Sequence, residues 1–180
     1  MNYITIDIET TGLDITRDSP IQIAWEVRNE DYKLLEANSI YVKTSKELDV
    51  KIVTITGITD KILQAQGIPP QTAGNIYHSL LWSYFPVVLI GYNILNFDFP
   101  MLQNWLMRVI PGKFKHPPVM GVQDVMFTCC DYFKQKKWPK LVDAGQRLKI
   151  DFNPEDLHDA GADVNLTWKI FEKLYPKEGA

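Results

Sequence analysis

The chain reads as a mixed α/β domain, on three observations. Residues 3–8 (YITIDI) alternate along the chain and are rich in β-branched side chains, which is strand patterning. Residues 20–29 and 33–42 repeat it across the short turn Asn29-Glu30-Asp31-Tyr32, so the first three strands form an antiparallel meander. Beyond residue 57 the apolar spacing becomes helical. It is interrupted by the run Val87-Val88-Leu89-Ile90 ending in Gly91, which reads as a buried strand. A meander extended through helical crossovers gives a mixed sheet covered by helices.

The helices follow in order. The pattern predicts one over 57–66 and another over 71–84, which Pro86 closes. Apolar residues at 99, 102, 105, 106 and 109 predict a third from Phe97 to Val109. The Pro/Gly/Lys segment 111–118 reads as a flexible loop, and helices are expected over about 124–135, 140–148 and 159–174, before Pro176.

At 180 residues and 20.7 kDa the sequence fits one domain, 1–180, without repeats or linkers. A chain of this size buries roughly 70% of its unfolded surface and needs no disulfide or metal staple. A composition of 46% hydrophobic and 23% charged residues excludes disorder. No apolar run nears the ~20 residues of a membrane helix, so no membrane partner is expected. The start MNYITIDIETTGL lacks the basic segment of a signal peptide, and the cysteines, Cys129 and Cys130, are adjacent. A reducing, cytoplasmic location and a monomer are expected.

The net charge of -3 hides an uneven distribution: -5 over residues 1–100, +6 over 101–150 and -4 over 151–180. The densest basic run is Lys134-Gln-Lys136-Lys137-Trp138-Pro139-Lys140. It reads either as a solvated helix end or as a phosphate-facing patch, with Tyr132, Phe133 and Trp138 available for base stacking.

The chemistry gathers at three places. Asp7 and Glu9, two apart on a strand, leave one face together while Ile6 and Ile8 take the other. Either they sit in water at the strand end, or their repulsion and desolvation are offset by a hard divalent cation. Thr10-Thr11-Gly12-Leu13 then turns away, where Gly12 permits close backbone approach and turn amides can hold a phosphate. Asp98 opens a helix with Pro100 in its first turn; it reads locally as an N-cap, or as a third carboxylate brought to the carboxyl end of a strand. His158 sits in the loop before a helix and Asp163 one turn into it, so an imidazole and a carboxylate can converge, while Asp159 reads as a cap. Together, four carboxylates and a histidine at strand ends and helix starts suit a two-metal phosphoryl-transfer site.

Asp7-Ile8-Glu9-Thr10-Thr11-Gly12-Leu13 resembles the first motif of the DEDDh (DnaQ-like) 3′–5′ exonucleases. Asn93 to Asp98 resembles the second motif and His158 to Asp163 the third, H-x-x-x-x-D; Thr56-Gly57-Ile58-Thr59 resembles the H-G-I-T element. The second motif is one residue longer than usual, N-x-x-x-F-D, as in exonuclease I-type enzymes and the proofreading domains of B-family polymerases. Those polymerase domains carry tyrosine in the third motif, so His158 matches the histidine subclass; Thr56 stands where the family has histidine. The chain ends soon after the third motif, and no appended polymerase-binding or nucleic-acid-binding domain is expected.

The resemblance implies a ribonuclease H-like fold: a five-stranded sheet of meander plus parallel strands, flanked by helices. It implies two Mg²⁺ or Mn²⁺ ions about 3.5–4 Å apart, held by Asp7, Glu9, Asp98 and Asp163, with His158 as general base. Thr10, Thr11, Gly12, Leu13, Gly57, Ile58 and Thr59 would surround the terminal nucleotide, and Asn93 and Phe97 would face the strand. The implied substrate is a single-stranded 3′ end, DNA favoured over RNA, with a polymerase or other replication or repair protein as partner. The alternatives are a non-catalytic binding module and a proofreading subunit active only within a polymerase complex.

Overall fold

In a computed structural model, which describes residues 1–112, 119–157 and 159–177, a five-stranded sheet has the order β3-β2-β1-β4-β5. The meander comprises β1 (Asn2–Thr10), β2 (Pro20–Arg28) and β3 (Leu34–Tyr41), paired antiparallel; β4 (Val87–Gly91) and β5 (Val119–Asp124) add in parallel on the other side of β1. The mixed sheet expected from the sequence is therefore present. Its fifth strand, Val-Met-Gly-Val-Gln-Asp, had no position in the pattern reading because it is short, glycine-containing and follows a proline-rich loop. Residues 113–118 of that loop lie outside the described residues.

Helices cover both faces. Ile4, Ile6 and Ile8 of β1 pack with Ala73, Tyr77 and Leu81 of α3 (Pro70–Ser83) and with Met101, Leu102 and Trp105 of α4 (Asp98–Val109). On the opposite face, Ile90 packs with residues of α5 (Val125–Phe133), α6 (Leu141–Arg147) and α7 (Ala160–Leu174), the last a helix rich in buried Leu166, Trp168 and Ile170. This is the face on which Tyr3, Thr5, Asp7 and Glu9 alternate. β2 is buried on both sides along nearly its whole length, as a strand between two helical layers must be.

The helix expected over 57–66 begins later, as α2 (Asp60–Gln66), and a helix that had no position in the pattern precedes it, α1 (Val50–Thr56). Gly57 stops the first in the left-handed conformation (φ 69°), with its N–H donating to the carbonyl of Val53. Thr59 starts the second, its hydroxyl accepting from the N–H of Ile62. The apolar pattern reaches back past the cap Thr59 because Ile58 is itself buried, beside Ile21, Leu48 and Leu63.

Gly57→Ala places a Cβ on a left-handed residue and is expected to lower stability by about 1 kcal/mol. Chemical denaturation checks this; an unchanged midpoint would contradict the cap assignment.

Candidate active site

β1 outruns its parallel neighbour. Only Asn2–Thr5 pair with β4, so the strand continues through Asp7 and Glu9 with an open edge on that side. Asp98, at the start of α4, closes the gap: its carboxylate accepts a hydrogen bond from the N–H of Ile8. Asp98 is not the N-cap its sequence suggested. Phe97 occupies that position, and the Asp98 side chain, 4% exposed, turns inward.

The fourth acid, Asp163, arrives from above the sheet. Ala24 lies opposite Asp7 in the β1–β2 register and packs against Ala160 and Val164 of α7. Small residues at that contact let the helix approach closely, and Asp163 sits between the two. One carboxylate oxygen each from Asp7, Glu9 and Asp163 lie within 4.8 Å of one another. Asp159 is the N-cap of α7, as its sequence position predicts, its carboxylate accepting from the N–H groups of Gly161 and Ala162.

Electrostatics record the crowding. Burial, then the charges of Asp98, Asp163, Glu9 and Asp159, push Asp7 well above the usual carboxylate range. Burial and the same kind of neighbours, Asp163, Asp98 and Asp159, push Glu9 up to about 8. Asp98 rises to about 7, chiefly by burial and further by Asp124 and Asp163, although backbone amides of Asp98 and Ile8 pull against the shift. Acids displaced this way by burial and by one another are the pattern of a candidate functional centre.

The loop after β1 is tied down by Asp18. Its carboxylate accepts from the hydroxyl of Thr11 at 2.9 Å and the N–H of Asp14 at 3.0 Å, and pairs with Lys46 at 3.3 Å. Gly12 is required here, since a Cβ would stand 2.4 Å from Asp18 Oδ2. The Thr11 amide, one of the turn amides read as anion donors, donates to the carbonyl of Ser19. Thr10 and Thr11 are buried, whereas Leu13 stands 82% exposed beyond the turn.

A groove of about 670 Å³ lies at the start of α7, lined by Thr56 and Gly57 together with Leu157, Asp159 and Ala162; none of the four acids lines it. Of the H-G-I-T-like segment, only Thr56 and Gly57 line it; Ile58 joins the core and Thr59 caps α2. In the second-motif loop, Asn93 is left-handed (φ 64°) and its side-chain oxygen accepts from Asn96 at 2.8 Å, while Phe97 packs against the core. His158 lies outside the described residues.

Two residues of this region escaped the sequence reading. Asp124, buried at the end of β5, accepts from the N–H groups of Asn93, Leu95 and Met126 at 3.0–3.1 Å and so shapes the loop that delivers Asp98. Gln22, opposite Glu9, reaches the start of α7. Asp124 ends a strand that had no position in the pattern, and a glutamine within a strand carries no special signal.

Glu9 and Asp98 start from ordinary values of 4.5 and 3.8 in the unfolded chain. Their raised folded values mean that the folded state holds protons which the unfolded chain releases, so stability falls as pH rises through that window. In EDTA the melting temperature is therefore expected to be higher at about pH 5.5 than at about pH 8.5. The double variant Asp7→Asn/Glu9→Gln is expected to flatten that slope in thermal melts; an equally steep slope would contradict the assignment.

The comparisons with known proteins follow the same geometry. The exonuclease family RNase_T matches residues 4–171. The DNA polymerase III PolC-type proteins of Thermotoga petrophila and Mycoplasma genitalium are each 27% identical to the chain, over 175 and 170 residues. Each alignment spans 94% of this chain but 11% of the relative, so the match is to a small portion of a much longer protein. Among solved structures, E. coli exonuclease I in complex with a dA16 oligonucleotide aligns with a TM-score of 0.81 at 22% identity, over 98% of this chain and 41% of that one. The zinc-bound E. coli exonuclease I–ssDNA complex aligns with a TM-score of 0.82 at 23% identity, over 99% and 41%. These likenesses share the fold, and the family match together with a ribonuclease H-like sheet that gathers its acids at the end of β1 leads to one conclusion: the chain belongs to the exonuclease family.

Proposed function

We propose that the chain, as one domain over residues 1–180, is a metal-dependent 3′–5′ exonuclease that shortens single-stranded DNA, and RNA less readily, to 5′-mononucleotides. The observation that carries this reading is the cluster of carboxylates at the end of β1. Asp7, Glu9 and Asp163 offer hard oxygens within 4.8 Å of one another, Asp98 adjoins them, and the shifts on Asp7 and Glu9 come from burial and neighbouring carboxylates. That donor set fits Mg²⁺ or Mn²⁺. Two such ions, when bound, supply an acidified water and neutralise charge developing on the phosphate and the leaving 3′-oxygen.

The protein's own groups do the rest. His158, adjacent in sequence to the cap Asp159, takes a proton from the attacking water as its oxygen bonds to phosphorus; the phosphorus–O3′ bond breaks and O3′ takes a proton from solvent, leaving a 3′-hydroxyl on the strand and a 5′-monophosphate on the released nucleotide. The groove between Thr56-Gly57 and the start of α7, the helix that carries Asp163, takes the terminal nucleotide, and the exposed Leu13 wedges against its base. The basic run 134–140 follows the strand's phosphates upstream. It is tied to the second-motif loop by the Tyr92 hydroxyl, which donates to the carbonyl of Pro139 at 2.8 Å. The oligonucleotides in the exonuclease I structures support DNA as substrate. The PolC-type relatives favour a second reading, in which the chain proofreads within a polymerase complex.

The test is a gel assay with 5′-labelled single-stranded DNA and RNA of one sequence, in Mg²⁺, Mn²⁺ or EDTA. A metal-dependent ladder shortening from the 3′ end is expected. Asp163→Ala should lose about 10³-fold or more of the activity without loss of melting temperature, because it removes one of several repelling carboxylates. His158→Ala should lose about 10²–10⁴-fold while still binding Mn²⁺. An uncut strand that shifts in a binding gel would overturn the nuclease reading in favour of a binding module. Activity gained only with a co-purifying polymerase would favour the second reading.

A further inference from the structure

Gln22 is a polar residue sealed within the protein, 2% exposed, which none of the chemistry above uses. It lies on β2 directly across from Glu9. Its Nε2 donates to Ser39 Oγ on β3 at 3.0 Å and to Asp159 Oδ2 at 3.1 Å, and its Oε1 accepts the N–H of Ala160 at 3.5 Å. The partners dictate the orientation of the amide, since a backbone N–H needs the oxygen and a carboxylate needs the NH₂. One side chain thus joins two strands of the sheet to the first turn of α7.

We propose that Gln22 is a positioning residue that fixes α7 along its own axis and thereby sets where Asp163 stands relative to Asp7 and Glu9. The proposal rests on the reading of those three acids as metal ligands. Apolar contact between Ala24, Ala160 and Val164 fixes how near the helix lies to the sheet, but small side chains resist sliding weakly. A shift of one residue along the helix is about 1.5 Å, enough to spoil a site whose ligands must converge. The amide of Gln22 is directional, and it grips the helix at Asp159 and Ala160. Asp159 divides its carboxylate accordingly: Oδ1 caps α7 at Gly161 and Ala162, and Oδ2 receives Gln22. Asp163 follows one turn later, its N–H donating to the Asp159 carbonyl at 3.1 Å.

The experiment measures Mn²⁺ binding without nucleic acid, by the electron paramagnetic resonance signal of free Mn²⁺, together with kcat, KM and melting temperature. Gln22→Leu is expected to weaken Mn²⁺ binding by about 10- to 100-fold and to lower kcat in parallel, with KM for the oligonucleotide changed by less than about threefold. Asp159→Ser keeps a capping oxygen but cannot also reach Gln22. In that background Gln22→Leu is expected to cost less in Mn²⁺ binding and kcat than it does in the wild type, since only the contact with Ala160 remains to be lost. Gln22→Met serves the same comparison if the leucine variant does not fold.

A variant at position 22 that melts lower yet binds Mn²⁺ and turns over like the wild type would overturn the proposal, leaving Gln22 as packing. Losses in the double variant that are fully additive would overturn it as well, since Gln22 and Asp159 would then not act as one grip on the helix. A wild-type protein that binds no Mn²⁺ would instead remove the metal reading itself.

Discussion

The mutual repulsion of carboxylates at the end of β1 is the constraint around which this fold is arranged. Asp7 and Glu9 share one face by the geometry of a strand, and burial brings Asp98 and Asp163 against them. Without compensation such a group costs stability, and the chain spends specific contacts on tolerating it. The N–H of Ile8 steadies Asp98, and Asp124 orders the loop before it. Ala24 and Ala160 let α7 come close enough to present Asp163. What remains is a set of carboxylate oxygens from Asp7, Glu9 and Asp163 within 4.8 Å of one another, the donor set that a divalent cation requires.

Much of this was legible in the sequence, for a physical reason in each case. Strand alternation determines that Asp7 and Glu9 point together, and a helix beginning at Asp159 determines that Asp163 lies one turn in. The meander, β4 and most of the helices follow from periodicity. The misreadings arose where tertiary contact overrules local pattern. Asp98 has every local mark of an N-cap, yet the open edge of β1 attracts its carboxylate instead. Ile58 extends the apolar period back past the cap Thr59, so α2 reads as starting too early, and the short α1 before Gly57 had no position in the pattern. β5 is too short and too interrupted to announce itself, and with it went Asp124.

The matched relatives fit this picture with a difference of scale. The chain spans 11% of the PolC-type proteins and 41% of the exonuclease I structures, and its identity to the latter is 22–23%. What is held in common at that distance is the sheet and its helices. In the loop from Asn93 to Asp98, Asn93 is left-handed and its side chain accepts from Asn96, while Asp98 reaches the amide of Ile8.

The central claim, that these four carboxylates together hold divalent metal, is tested most directly by anomalous diffraction from crystals soaked in Mn²⁺. Anomalous density is predicted in contact with Asp7, Glu9 and Asp163, with Asp98 reached directly or through a bound water, and lost in an Asp7→Ala crystal. Crystals with no density there, or with Mn²⁺ only elsewhere on the surface, would contradict the account.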